Sequence, residues 1–265
     1  MDINTFTEFV PADGAAWRAG DAWLGGGTWL FSQPQPGITR LLDLSAFGWP
    51  PVTETADGLQ IAATCTLAEL ARWRSRHDWP AAALARQCCD ALLGSFKVQN
   101  MATVGGNICL SLPAGPMTAL AAALDGAAAL RAADGGSRQI PVAGFVTGDG
   151  RNVLRPGELL HKVIIPAGSL RARAAFRQVS LSPVGRSAVL VIARHDPGGE
   201  AVVTVTAATP YPVQFRFGSL PSPREAVAAL DAAALAYLDD VHGAAVWRAA
   251  MTRRAVASVI AELTP

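Results

Sequence analysis

Two glycine clusters hold the residues of this 265-residue chain best suited to chemistry: Gly25-Gly26-Gly27-Thr28-Trp29-Leu30 and Thr103-Val104-Gly105-Gly106-Asn107-Ile108. Glycine tolerates positive φ and lets a ligand approach the main chain closely. Successive exposed N–H groups then form an anion-binding nest suited to a diphosphate. The alternative for both clusters is a pair of tight turns that serve only the fold. Neither is a common nucleotide motif. Leu30 stands where a Rossmann fingerprint needs its third glycine, and no Gly-Lys pair exists for a P-loop. Other chemistries lack their residues. No H-E-x-x-H zinc pattern and no G-x-S-x-G elbow occur, and His77, His161, His195 and His242 are isolated along the chain. Two phosphate cradles without an acid–base cluster point to a bound cofactor that does the chemistry.

The motifs Leu24-Gly25-Gly26-Gly27-Thr28-Trp29-Leu30 and Ala102-Thr103-Val104-Gly105-Gly106-Asn107-Ile108 resemble those of the FAD-binding subunit of the molybdenum hydroxylases. That family includes the flavin subunits of xanthine dehydrogenase and aerobic carbon monoxide dehydrogenase. Weaker signals follow in the family's order: Asp43-Leu44, the strand Gly58-Leu59-Gln60-Ile61-Ala62-Ala63, and Pro156-Gly157-Glu158-Leu159-Leu160. The resemblance implies an α+β fold: a two-part FAD-binding domain of the PCMH/vanillyl-alcohol-oxidase type plus a small C-terminal α+β domain. It implies noncovalent FAD here, with molybdopterin and iron–sulfur clusters only on partner subunits. Electrons would arrive from an iron–sulfur small subunit beside a molybdopterin large subunit, and leave to NAD, oxygen or a quinone. By the same resemblance, Gly25, Gly26, Gly27, Thr28, Trp29 and Leu30 would wrap the diphosphate. Thr103, Val104, Gly105, Gly106 and Asn107 would approach the phosphates and ribityl chain from the other side. Leu93 would pack on the cofactor, and Leu160 and Arg177 match two further contact positions. The chain departs from the family at Trp29, usually an acidic residue or Ser, at Pro116, usually Asp, and at Gln99, usually Arg. These departures keep open a flavin-free docking subunit of the same complex. A stand-alone flavoprotein oxidase is the other alternative, and it would need acid–base residues of its own.

Composition bears on the setting. Net charge is +1 with 22 basic and 21 acidic residues, so nothing calls for nucleic acid or an anionic membrane. No apolar run approaches the ~18 residues of a spanning helix. The start, Met1 to Glu8, lacks the basic and apolar regions of a signal peptide, which gives the expectation of a cytoplasmic protein. Only 16% of residues are charged, against a usual ~25%, which suits a surface partly covered by other subunits. Cys65, Cys88, Cys89 and Cys109 have no cluster-ligand spacing and read as buried thiols.

The elements that must position the clusters fall in three pieces, with domains expected at 1–167 (subdomains about 1–50 and 51–167) and 168–265. The first piece reads as a strand near Phe6–Phe9, a helix before Gly20, the glycine loop and a strand at Leu41–Leu44. The second has a strand at Leu59–Ala63, and a capping box at Thr66 and Glu69 opens a helix to about Arg76. A helix from Pro80 to Leu93, the second glycine loop, a helix over Met117–Leu124 and strands near Ala127–Ala132 and Leu160–Ile165 follow. Pro166-Ala167-Gly168 reads as a linker. The last piece has strands at Phe176–Leu181, Ala188–Arg194 and Ala201–Thr206, with a turn at Asp196-Pro197-Gly198-Gly199. Helices over Pro221–Tyr237 and Ala245–Leu263 end the chain.

Overall fold

Asp21 and Arg40 fix the first layer of the molecule, whose computed structural model describes residues 6–264. The reading of Met1 to Thr5 as lacking a leader lies outside them. Strands β1 (Glu8–Pro11), β2 (Asp21–Leu24) and β3 (Arg40–Asp43) form a parallel sheet in the order β1-β3-β2. The buried Asp21 carboxylate takes two bonds from the Arg40 guanidinium, at 2.7 and 2.6 Å, across the β2–β3 pair. That hydrogen bond from Arg40, set against burial, holds the Asp21 carboxyl below its ordinary range. The strand therefore delivers Leu24 to the glycine loop at a fixed angle. Among the described residues no helix precedes Gly20. Pro11 and the positive φ of Gly14 and Gly20 break the backbone into turns, and Trp17 packs on Trp23 instead.

The second layer is a five-stranded antiparallel sheet. Its strands are β4 (Val52–Thr55), β5 (Gly58–Ala62), β6 (Ala127–Arg131), β7 (Ser137–Pro141) and β10 (Leu159–Pro166), in the order β4-β5-β10-β6-β7. A two-stranded ribbon, β8 (Val146–Gly148) and β9 (Arg151–Asn152), lies between β7 and β10 in sequence. Helices α1 (Leu67–Arg72), α2 (Ala83–Ala91), α3 (Phe96–Met101), α4 (Val104–Leu110) and α5 (Pro116–Ala123) intervene between β5 and β6. The expected capping box is present: Thr66 Oγ1 accepts from Glu69 N–H while Glu69 accepts from Thr66 N–H. The α1 helix stops earlier than expected because Trp73 turns extended and donates its indole N–H to Glu54. All eight residues of α5 are buried, which accounts for its alanine-rich sequence: it lies between α2, α4 and the third sheet.

Short helices α6 (Val142–Phe145) and α7 (Ala167–Leu170) complete this half. The expected linker is in fact α7. Ala167 N–H bonds the Asp57 carbonyl at 2.8 Å, and Ala167 and Leu170 are buried. The third layer is an antiparallel meander, β11 (Arg173–Val179), β12 (Val189–His195), β13 (Ala201–Thr206) and β14 (Val213–Phe217), backed by α8 (Pro223–Ala232) and α9 (Ala245–Leu263). Strand β13 is buried throughout and β12 nearly so, because α9 covers β12 on one side while α5 packs on both strands from the other. The α8 helix is shorter than its pattern predicts: Ala234, at φ 46, turns the chain out of it. No helix among the described residues is long and apolar enough to cross a membrane.

Candidate functional site

The two glycine clusters meet. A Cβ on Gly26 would fall 1.5 Å from the Met101 carbonyl oxygen, and one on Gly25 would fall 2.8 Å from Thr103 Oγ1. Gly27 takes φ +70 and a Cβ there would strike the Phe31 ring. Gly25 and Gly26 are thus required by packing against the segment that leads into the second cluster, and Gly27 by its own positive φ and the Phe31 ring. The cost of this close approach is a bare backbone. Among the described residues, the N–H groups of Gly25, Gly26, Gly27, Thr28, Trp29 and Leu30 donate to no protein acceptor. Six consecutive unpaired donors are what an anion receptor requires, since main-chain N–H groups are otherwise nearly always paired.

The second cluster differs. It starts a helix: Thr103 is the N-cap of α4, and its Oγ1 accepts from Gly106 N–H at 3.0 Å. Val104 N–H bonds the Cys65 carbonyl, Gly105 N–H the Ala63 carbonyl, and Asn107 N–H the Thr103 carbonyl. Its donors are spent inside the fold. Gly105 is a packing glycine, since a Cβ would lie 2.5 Å from that of Ala63, whereas Gly106 is exposed. Asn107 Oδ1 accepts from Met117 N–H at 3.0 Å and so ties α4 to α5.

Between the clusters lies a cavity of about 520 Å³. It is lined by Gly25, Gly26, Gly27, Thr28, Trp29 and Leu30 on one wall and by Thr103, Gly106, Asn107 and Gly115 on another. The corner between α2 and α3 adds Leu92, Leu93 and Val98, and Trp23 closes the floor. Trp29 and Leu93 stand at its edge, 40% and 60% exposed. Val104 and Gly105 lie behind the wall, outside the lining. Leu160 is buried in the core of the second sheet and Arg177 bonds Ser258 and Glu262 on α9, so neither side chain lines the cavity. Gln99, where the family usually has Arg, donates to the carbonyl oxygens of Cys89 and Leu92 at the end of α2.

One lining residue has no motif to announce it. Arg186, on the β11–β12 connection, is half-buried in the cavity wall and makes no hydrogen bond or ion pair with any described residue. Ser187 beside it is held by Gln178, which also reaches the Ala91 carbonyl across the cavity edge. The third layer thereby contributes a cation to a site otherwise built by the first two. Cys109 also lines the cavity, and burial pushes its thiol up to about 12, which keeps it protonated. Burial raises Cys65 and Cys89 to about 12 as well, and Cys88 well above its ordinary value. No cluster of metal-ligating side chains occurs among the described residues. The shape and lining of the cavity suit an anionic, partly apolar ligand.

Residues 21–168 match the family described as the FAD binding domain in molybdopterin dehydrogenase. No curated protein sequence matches the chain. Among solved structures, a carbon monoxide dehydrogenase from Oligotropha carboxidovorans is similar at 20% identity and TM-score 0.83, over 98% of each chain. A carbon monoxide dehydrogenase from Hydrogenophaga pseudoflava that lacks the Mo-pyranopterin moiety of its molybdenum cofactor is 18% identical, with TM-score 0.82 over 98% of each chain. Quinoline 2-oxidoreductase from Pseudomonas putida 86 is 20% identical, with TM-score 0.80 over 99% of this chain and 98% of that one. These likenesses carry the fold across the whole chain, and the family match carries the site region; the chain belongs to the FAD-binding-domain family of the molybdopterin dehydrogenases.

Proposed function

We propose that this chain is the flavin-binding electron-transfer subunit of a molybdenum-containing hydroxylase or dehydrogenase, an oxidoreductase subunit that acts inside a larger complex. The observation that carries the reading is the row of six unpaired N–H groups from Gly25 to Leu30 in the wall of the same cavity that the unpaired Arg186 lines. Such a set fits the diphosphate of FAD, and the apolar part of the cavity at Leu92, Leu93 and Val98 fits its ring system. Gly25 to Leu30 would hold the diphosphate, with the exposed Thr28 hydroxyl adding a donor. Thr103, Gly106 and Asn107 would shape the opposite wall, and Leu93 would pack on the ring. Val104 and Gly105 would support that wall from behind; Leu160 and Arg177 would act only through the scaffold. None of the four histidines lines the cavity, which supports noncovalent binding. When bound, the flavin supplies electron exchange, and this chain's part is to bind it, orient it and limit its access to water.

Iron–sulfur and molybdopterin subunits are the partners proposed to deliver electrons, with NAD, oxygen or a quinone as the acceptor. The molybdenum cofactor named in the description of the Hydrogenophaga pseudoflava enzyme supports a molybdenum-bearing partner, and the exposed apolar side chains Trp29, Leu93, Phe96 and Met101 on and beside the cavity edge suit a covered surface. Four free cysteines support a reducing cytoplasm. The domains proposed are 1–167, with the two-part vanillyl-alcohol-oxidase-type organisation, and 168–265; the family match over 21–168 supports the first. An absorption spectrum of the purified chain, followed by heat release of any chromophore, tests the reading. Flavin bands with about one FAD per chain and no iron are expected. A colourless protein that takes up no added FAD overturns it and leaves a docking subunit.

A further inference from the structure

Among the described residues, the most voluminous fully buried side chain is a cation: Arg248 of α9, 1% exposed. Its guanidinium makes four hydrogen bonds. Nε donates to the Gly243 carbonyl at 2.9 Å, and Nη2 donates to Asp240 Oδ1 at 2.5 Å. Nη1 donates to two carbonyls at once, that of Ala188 at 2.6 Å and that of Ala207 at 2.8 Å. Burying a cation costs solvation that an apolar side chain of similar volume would keep. What the arginine adds is its grip on those two carbonyls.

Both carbonyls stand where the third sheet hands its chain to the cavity. The β12–β13 ladder ends at the Leu190–Thr206 pair, and Ala188 and Ala207 lie just beyond that end, one on each strand. Immediately before Ala188 come Arg186 and Ser187, which line the cavity. Ala207 is buried at φ 64, the left-handed region that a residue with a Cβ adopts at a cost. That turn gives its N–H to the Pro113 carbonyl at 2.9 Å, and Leu112, Ala114 and Gly115 around Pro113 line another part of the wall. Arg248 Nη1 therefore bridges the two strands past the last pair of their ladder, where each leads to a different part of the cavity wall. We propose that Arg248 is a positioning residue of the cofactor site, which holds Arg186 at the cavity by clamping the strands where they part. This rests on the flavin reading above. Arg248 itself lies outside the lining, so its effect on a ligand passes through Arg186. Only a planar fork of donors fits the arrangement; a lysine ammonium is a point charge on a flexible stem.

The experiment is a double-mutant cycle on the full chain, read as FAD affinity by flavin fluorescence at low and high salt, with hydrogen exchange of the apoprotein beside it. Arg248→Lys is expected to weaken FAD about tenfold and to flatten the salt dependence of binding, as the Arg186 charge moves out of reach. In an Arg186→Gln background the same substitution should change FAD affinity less than about twofold, because the residue it acts through is already gone. An equal loss in both backgrounds overturns the proposal and makes Arg248 a general support of the fold. Asp240→Asn loosens the clamp from its more exposed end and should show the same pattern with a smaller loss, so it carries the cycle should Arg248→Lys fail to fold. Unchanged FAD affinity in the folded variants also overturns the proposal. Without FAD, the amides of Ala188 and Ala207 should exchange faster in the folded variants than in the parent, while those of α2 keep their protection. Parental exchange at both amides overturns the clamp. A parent chain that binds no FAD brings down the flavin reading instead, and faster exchange at the two amides would still uphold the clamp.

Discussion

Arg186 and Gly26 sit on facing sides of one problem, which is how a backbone becomes a receptor. Gly26 lets two chain segments touch and strips the loop of internal partners. Arg186 adds a full positive charge where those partial charges converge. A guanidinium paired with nothing is held in a cavity wall at some cost of solvation, which a phosphate would offset with charge-assisted hydrogen bonds. Replacing it should therefore weaken the cofactor and spare the fold. Arg186→Gln is expected to raise the FAD Kd by roughly 10–100-fold, from the ~1.5–3 kcal/mol of a hydrogen bond to a charged group, and to reduce its salt dependence. Melting of the apoprotein should stay within ~2 °C of the parent, since no bond in the protein is lost. A large fall in melting temperature with unchanged FAD affinity would show Arg186 to be structural.

At the scale of elements, the Pro156–Leu160 motif is a strut. Glu158 is buried and takes two bonds from Arg138, at 2.7 and 2.6 Å, and one from Arg155 N–H, while its carbonyl accepts the Trp23 indole at 3.0 Å. It thus joins β7 and β10 to the strand that feeds the first glycine loop. The Arg138 hydrogen bond pulls the Glu158 carboxyl from 4.5 down to about 2. A depressed carboxylate stabilises the fold above its unfolded value, and that contribution is lost as pH falls through the interval from 4.5 to about 2. Urea unfolding should show on the order of 3 kcal/mol disappearing across that window, and Glu158→Gln should have lost it already at neutral pH, with a flatter acid limb. A parent-like acid limb in the variant would contradict the strut. The motif was legible as a sequence; its partners were not, because Arg138 and Trp23 are distant in the chain. The same divide runs through the rest of the fold. Thr66 with Glu69, the Asp196–Gly199 turn and the long α9 could be read locally, since their signals lie within a few residues. The α4 helix was hidden, because Gly105 and Gly106 argue against a helix until Ala63 and Cys65 arrive to accept its first N–H groups. Arg186 had no local signal at all: only the packing of β12 against α5 brings its loop to the cavity.

For the molecule as a whole, that packing is secured by a charged junction. Asp125 ends α5 in the left-handed region, at φ 51, and its carboxylate meets Arg194 of β12 and Arg216 of β14. Arg194 is almost fully buried and also donates to Ser169 on α7, while Gln214 Nε2 reaches the Ala122 carbonyl at 2.7 Å. Burial works against ionisation of Asp125, yet the hydrogen bond from Arg216 and the charge of Arg194 hold its carboxyl below the ordinary range. The third sheet is therefore fastened to the flavin-binding half at the far end of the helix whose N-terminus carries Gly115. Removing one member of a buried pair costs about 3–5 kcal/mol when the other charge is left uncompensated, and Arg194, which keeps Asp196 at 3.4 Å, sets the loss here at the low end of that range. Asp125→Asn keeps the shape and removes only the charge, so it should lower the melting temperature by roughly 6–12 °C at the ~2–4 °C per kcal/mol of a chain this size. Because β12 begins two residues after Ser187, loosening this junction should also let the Arg186 loop drift from the cavity. FAD affinity should then fall in Asp125→Asn, although Asp125 itself lies outside the lining. Calorimetry and flavin fluorescence on the same samples separate the two effects. A lowered melting temperature with parental FAD affinity would mean that the cofactor site holds its shape without the third sheet.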